Sequence, residues 1–141
     1  MKSKTLVEGQ ERVLVLVLDS AEEAFGAITK FANQKNITGA SVTAIGAFER
    51  GWFDFDAKKY KPISVGEQCE VLSLLGDIAE GDDGKASLHL HAVLGLSDGS
   101  VRGGHLMEGI VRPTLEVTII ETAAHLRQKK RPDLGIALIQ L

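Results

Sequence analysis

Apolar and polar positions change rhythm twice along the chain. The run RVLVLVLD holds six consecutive apolar residues, Val13 to Leu18, between charged neighbours. It is too short for a helix and rich in β-branched residues, so it predicts a strand buried on both faces. In SAEEAFGAITKFANQKN the period lengthens to three and four residues, with Ala24, Phe25, Ile28, Phe31 and Ala32 on one stripe. Ser20 precedes Glu23 by three residues, the S-x-x-E pattern of a capping box, which predicts a helix from Ala21 to about Gln34.

From ITGASVTAIGAFER onward the rhythm is one of short β-prone runs between glycine, proline and acidic turns. The predicted strands are Ala40 to Phe48, Gly51 to Asp56, Cys69 to Asp77, Ser87 to Leu96, Ser100 to Met107, Leu115 to Glu121 and Ile136 to Gln140. Short turns between successive strands imply antiparallel pairing, since a parallel crossover needs a dozen or more residues. The expected class is α+β, a mainly antiparallel β-sheet with one principal helix packed on it. No repeat, linker or low-complexity tract divides the chain, so residues 1–141 are expected to form one domain. One helix covers only part of a sheet, yet VLVLVL and LGIALIQL both read as fully buried. Either the sheet curls over itself or a second copy of the chain covers its surplus apolar face.

Composition narrows the function classes. With 44% hydrophobic and 25% charged residues, the chain has the balance of a soluble globular protein. A formal net charge of −3 removes the broad positive field that sequence-independent phosphate binding requires. The one dense basic run, Arg127 to Arg131, reads as a solvated loop or helix end. Cys69 is the single cysteine, which excludes an intrachain disulfide and suits a reducing cytoplasm. The apolar run near the start is too short for a membrane span or a signal peptide core, so a cytoplasmic protein is expected.

Three of the four histidines lie in SLHLHAVLGLSDGSVRGGHL. On a strand His89 and His91 share one face, and Leu88, Leu90 and Ala92 the other, which turns to the core. The turn Ser97–Gly99 is a three-residue hairpin loop with a glycine for the left-handed position. Leu96 then pairs with Ser100, His91 with His105, and His89 becomes a diagonal neighbour of His105. Opposed Cβ atoms are about 4.5–5.5 Å apart and diagonal ones about 7–8 Å, so three imidazoles converge above the sheet. A two-residue loop would put His105 on the other face. The register-matched third histidine is what favours a metal over unrelated strand histidines. Three neutral imidazoles form an open zinc site with a fourth position for water or a small anion, and they also suit nickel, copper or iron. Gly103 and Gly104 allow close approach just before His105.

Other chemistry is sparse. Cys69 sits in an apolar strand without a basic activator, and reads as a buried thiol. No serine stands in a G-x-S-x-G elbow, and GDDGK at 81–85 has neither P-loop nor EF-hand spacing. His125 has no partner in the histidine pattern. Glu70, inside an apolar strand, is a candidate for orienting a histidine or moving a proton, though an outward-facing or interface position is the more ordinary reading.

The segments ASVTAIGAF, EVLSLLG, LHLHAVLGLSDGSVRGGHL and PTLEVTIIE, in that order and spacing, resemble the plants and prokaryotes conserved (PPC) domain. The resemblance spans nearly the whole chain. It implies an α+β fold, a homotrimer, and a metal set at His89, His91 and His105 of the kind in prokaryotic members. Stand-alone members are commonly labelled DNA-binding, and plant members carry an added AT-hook. No R-G-R-P hook is present here, and of the plant interaction segment Glu67–Leu72 keeps Glu70 and Leu72. The expectation is a trimeric metal-binding protein, zinc first, acting as a regulatory or interaction module with DNA or protein as partner. The alternative is a metal-dependent enzyme acting on a small molecule at the open three-histidine site.

Overall fold

A computed structural model describes residues 1–7, 11–54, 62–122 and 125–140. The elements run β1 (Lys2–Val7), β2 (Val13–Asp19), α1 (Ala24–Gln34), β3 (Gly39–Asp54), β4 (Pro62–Val65), β5 (Cys69–Glu80), β6 (Ala86–Gly95), β7 (Val101–Glu121), β8 (Arg127–Arg131) and β9 (Ile136–Gln140). The fold is α+β; among the described residues there is one helix, and every strand pair is antiparallel except a single parallel contact between β5 and β8. No helix among the described residues is long and apolar enough to cross a membrane.

The sheet curls over itself. β7 pairs with β3, β3 with β5, β5 with β6, and β6 returns to β7, which closes a ring of four strands. β2 extends the sheet from β7, and α1 lies across the interior face. Side-chain alternation sets what goes inside: Leu14, Leu16 and Leu18 of β2 are buried, as are Phe48, Leu74, Leu90, Leu94, Leu115 and Val117 of the ring. Ile28, Phe31 and Ala32 of α1 close the core from above. Val13, Val15 and Val17 are only half-buried, so β2 is not enclosed on both faces; β9 likewise leaves Ile139 exposed.

The helix begins later than the capping box predicts. Ser20 donates its hydroxyl to the Pro113 carbonyl, Ala21 has φ 71°, and Ala21 N–H and Glu22 C=O are held by Val111 of β7. Residues 20–23 are thus docked on a strand edge and unavailable for a first turn. Glu23 is itself the N-cap, its carboxylate accepting from Phe25 N–H at 2.9 Å and Gly26 N–H at 2.6 Å.

Two predicted breaks are absent. The strands read at Ala40–Phe48 and Gly51–Asp56 are one strand as far as Asp54; positions 55 and 56 lie outside the described residues. β7 runs through Pro113 because its ladder with β3 skips there, Gly46 facing Leu115 and Phe48 facing Val111. A proline without an N–H is tolerated at such a bulge. β1, β4 and β8 are strands that the apolar pattern does not announce, and the basic run Arg127–Arg131 is β8, paired with β9.

Candidate metal centre

The turn at Ser97–Gly99 has the length that the histidine register requires. Leu96 N–H bonds the Ser100 carbonyl at 2.9 Å, Gly99 takes φ 82°, and Asp98 accepts from the Ser100 amide and hydroxyl. The β6–β7 ladder then sets Gly95 opposite Val101 and ends with His91 opposite His105. Two glycines make the approach of the strands possible. A Cβ on Gly103 would stand 2.3 Å from the Ala92 carbonyl oxygen, and one on Gly76 2.0 Å from that of His89. These positions fix β6 against both of its neighbours.

The three rings meet as the register demands. His89 Nε2 lies 3.2 Å from His105 Nδ1 and 3.2 Å from His91 Nε2. All three ligand nitrogens fall within 4.8 Å of one another. Zinc–nitrogen bonds of about 2.0–2.1 Å in a tetrahedron place neighbouring nitrogens about 3.3 Å apart, close to the two separations that His89 makes. His89 and His105 are half-buried and His91 is exposed at the rim.

Electrostatics favour the ligating form. Burial lowers the pKa of His91, and the neighbouring His89 lowers it further, against a smaller opposing pull from Asp77. His105 is lowered by burial and then by His91 and His89, with Asp54 opposing. Neutral imidazole is the form that binds a metal.

The carboxyl groups placed beside the rings are Asp54 and Asp77, and Glu70 is not among them. Asp54 of β3 pairs directly with His105, and Asp77 of β5 pairs directly with His89. Direct strand partners share a face, so both carboxyls flank the rings. Asp77 is held in turn by Gln128 of β8, which donates its amide N–H to the carboxylate and accepts from the Ser87 hydroxyl at 2.7 Å. Gln128 is 2% exposed, the inward residue of the otherwise solvated basic strand. Glu70 is exposed opposite Gly95, at the far end of the β5–β6 ladder from the histidines.

Asp77 was within reach of the sequence. The GDDGK turn pairs Glu80 with Ala86, and that register carries Asp77 to His89. Asp54 and Gln128 gave no such signal, because their strands reach the site through long connections. Cys69 is a buried thiol whose pKa burial raises, as its apolar strand suggests. His125 pairs with Glu80 at 3.1 Å, apart from the triad.

A family model for the Plants and Prokaryotes Conserved (PCC) domain matches residues 6–123. Among solved structures, a Bacteroides thetaiotaomicron protein whose DNA-binding designation is provisional is 25% identical, with 98% of this chain and 96% of that chain covered and a TM-score of 0.83. A plant- and prokaryote-conserved (PPC) protein of Pyrococcus horikoshii is 29% identical over 96% of this chain and 98% of that one, TM-score 0.80. A metal-containing protein of Archaeoglobus fulgidus is 27% identical over 100% and 99%, TM-score 0.82. No curated protein matches.

Proposed function

Because this chain belongs to the Plants and Prokaryotes Conserved (PCC) domain family, we propose that it is a metal-binding, homotrimeric member acting as a regulatory or interaction module, with zinc held by His89, His91 and His105. The convergence of three ring nitrogens within 4.8 Å of one another carries the reading. Zinc held by His89, His91 and His105 would supply a positive centre able to polarise an oxygen ligand. The protein's part is to hold the three imidazoles together and aimed, with Asp77 and Asp54 beside them. The metal-containing protein of Archaeoglobus fulgidus supports metal binding in a chain of this fold. Metal analysis of purified protein tests it: one ion per chain is expected, and protein that takes up no zinc after stripping and resupply overturns it.

The homotrimer is supported by apolar residues left on the outer face of the ring. Ile45 is 60% exposed, Leu72 and Leu75 55% each, and Val93 41%. Ile45, Leu72 and Leu75 line one shallow groove beside Val15. Leu75 is also the strand partner of His91, so a covering copy would adjoin the metal centre. A solution mass of three chains is expected; a monomer at micromolar concentration removes the trimer. The buried lone thiol suits a cytoplasmic location, and the domain is taken as residues 1–141.

DNA association has thinner support. It rests on the provisional designation of relatives and on β8, where Arg131 is paired with Asp133 at 3.0 Å and Arg127 lies 3.5 Å from Glu80. A mobility-shift titration at low salt decides it, with no shift at micromolar protein removing DNA as a partner.

A second reading, a metal-dependent enzyme, is favoured by one observation. A cavity of about 240 Å³ opens beside His89 and His105, with the buried Asp54 in its wall. Such a carboxyl can exchange a proton with a molecule bound there. Metal-dependent turnover that is lost in Asp54→Asn with zinc retained would select this reading over a regulatory site.

A further inference from the structure

The pairing of β7 leaves a gap that a purely structural metal site has no use for. One edge of β7 is paired with β3 from His105 to Glu121. The other edge is shared: β6 takes Val101–His105 and β2 takes Thr114–Ile120. Between them, Ala21 and Glu22 occupy Val111, and the stretch at Leu106 and Met107 faces the cavity. β6 has already turned away there, continuing back from Leu90 along β5 alone. The cavity therefore lies at the fork of the sheet, below the His91–His105 rung, with His89 and His105 in its wall.

Its lining is one-sided. Phe25 of α1, Leu88, Leu106 and Met107 form an apolar body, with Ala137 of the β8–β9 hairpin also in the wall. Polar side chains occur only at the histidine end, where His89, His105 and Asp54 stand. A few convergent polar groups at one end of an apolar pocket orient a small molecule. At roughly 30 Å³ for the liquid share of one water, 240 Å³ holds on the order of eight non-hydrogen atoms.

Charge decides what kind of molecule. A divalent ion on three neutral imidazoles brings two positive charges, and the carboxyl partners of His105 and His89, Asp54 and Asp77, formally balance them. An anion entering this half-buried end would leave a net negative charge away from water, which is costly. A neutral oxygen donor would not. The small anion expected for an open three-histidine site is thus the less suitable occupant.

We propose that the fork binds a small neutral carbonyl compound with a short unbranched alkyl tail, its oxygen toward the histidines and its tail among Phe25, Leu106 and Met107. The proposal rests on the metal reading for the charge balance. Butyramide is the probe, with acetamide lacking the tail and butyrate carrying the wrong charge. Ligand-observed NMR titrations of zinc-loaded protein, its zinc content measured, should show butyramide binding about tenfold tighter than acetamide, from two further buried methylenes. Butyrate should bind more weakly than butyramide. Ala137→Phe should fill the cavity from its wall and abolish butyramide binding with zinc retained, and Met107→Ala should shift preference toward hexanamide. Butyrate binding as tightly as butyramide overturns the proposal, as does zinc-replete protein that ignores butyramide or a folded Ala137→Phe that binds it unchanged. If Ala137→Phe does not fold, the Met107→Ala preference decides alone. Butyramide binding by protein that takes up no zinc would keep the pocket and remove the metal centre; binding of neither would remove both.

Discussion

His91 stands directly opposite His105 at the last rung of the β6–β7 ladder, and His89, one step further along β6, closes the triangle from the β5 side. The centre therefore depends on a rung: the β6–β7 pairing sets His91 against His105, and the β5–β6 pairing places His89. Removing one ring leaves two donors at the same spacing. His105→Ala is expected to lower zinc affinity by more than the 10–100-fold typical of losing a supporting residue, with the fold intact by circular dichroism. Competition with a chromophoric chelator measures it, and near wild-type affinity would show that His105 is no ligand.

Gly103→Ala tests the rung from the backbone side. The added Cβ would lie 2.3 Å from the Ala92 carbonyl oxygen, a contact that no side-chain rotation relieves. β6 and β7 must separate, at a cost of about 1–3 kcal/mol by analogy with overpacked cores. For a chain of this length that is a fall in Tm of several degrees, together with weaker zinc binding. A Gly66→Ala control, where nothing lies within 4 Å, should change neither.

The histidine geometry was legible because local rules fix it: a three-residue turn, a period of two, and adjacent strands. The ring closure, Asp54 and Gln128 were not, since they depend on which distant strands meet, and alternation along β3 or β8 is silent about that. Strand lengths failed for a different reason. Pro113 and Gly51 carry break signals, yet a bulge absorbs the proline and Gly51 pairs with both Val65 and Gly109 as an ordinary rung. The helix start was misplaced because Ser20 and Ala21 have stronger partners on β7 than in a first helical turn.

That competition gives a sharp pair of substitutions. Glu23 caps α1 with two backbone bonds, and its carboxylate also lies 3.3 Å from the Gly109 N–H. Glu23→Ala is expected to destabilise by about 1 kcal/mol. Ser20→Ala loses one exposed bond to Pro113 and should cost less, by urea denaturation. Equal losses would restore Ser20 as the cap.

Gln128 joins the basic hairpin to the histidine face through Ser87 and Asp77. Gln128→Leu would leave the Ser87 hydroxyl and the Asp77 carboxylate short of a partner, at a cost of about 1–3 kcal/mol. Asp77→Asn keeps the shape and removes the charge beside His89. Its expected signature is a 10–100-fold loss of zinc affinity at little change in Tm of the stripped protein, which a merely structural aspartate would not produce.

The pH response follows from the lowered histidine pKa values. His91 and His105 bind protons less readily when folded than in the unfolded chain, where the ordinary value is about 6.5. Between the folded values and 6.5 the unfolded chain holds more protons, so stability of the stripped protein rises with pH in that window. Above 6.5 this contribution is complete; as pH falls through the window it is lost. Zinc widens the difference, because only the folded chain presents three neutral rings together. The Tm gained on adding zinc should therefore persist below pH 6.5 and vanish only as the depressed histidines protonate. In His91→Gln the zinc-dependent gain should be largely absent at every pH. A gain lost in the wild type as pH falls through 6.5 would mean that His91 and His105 titrate no lower than free histidine.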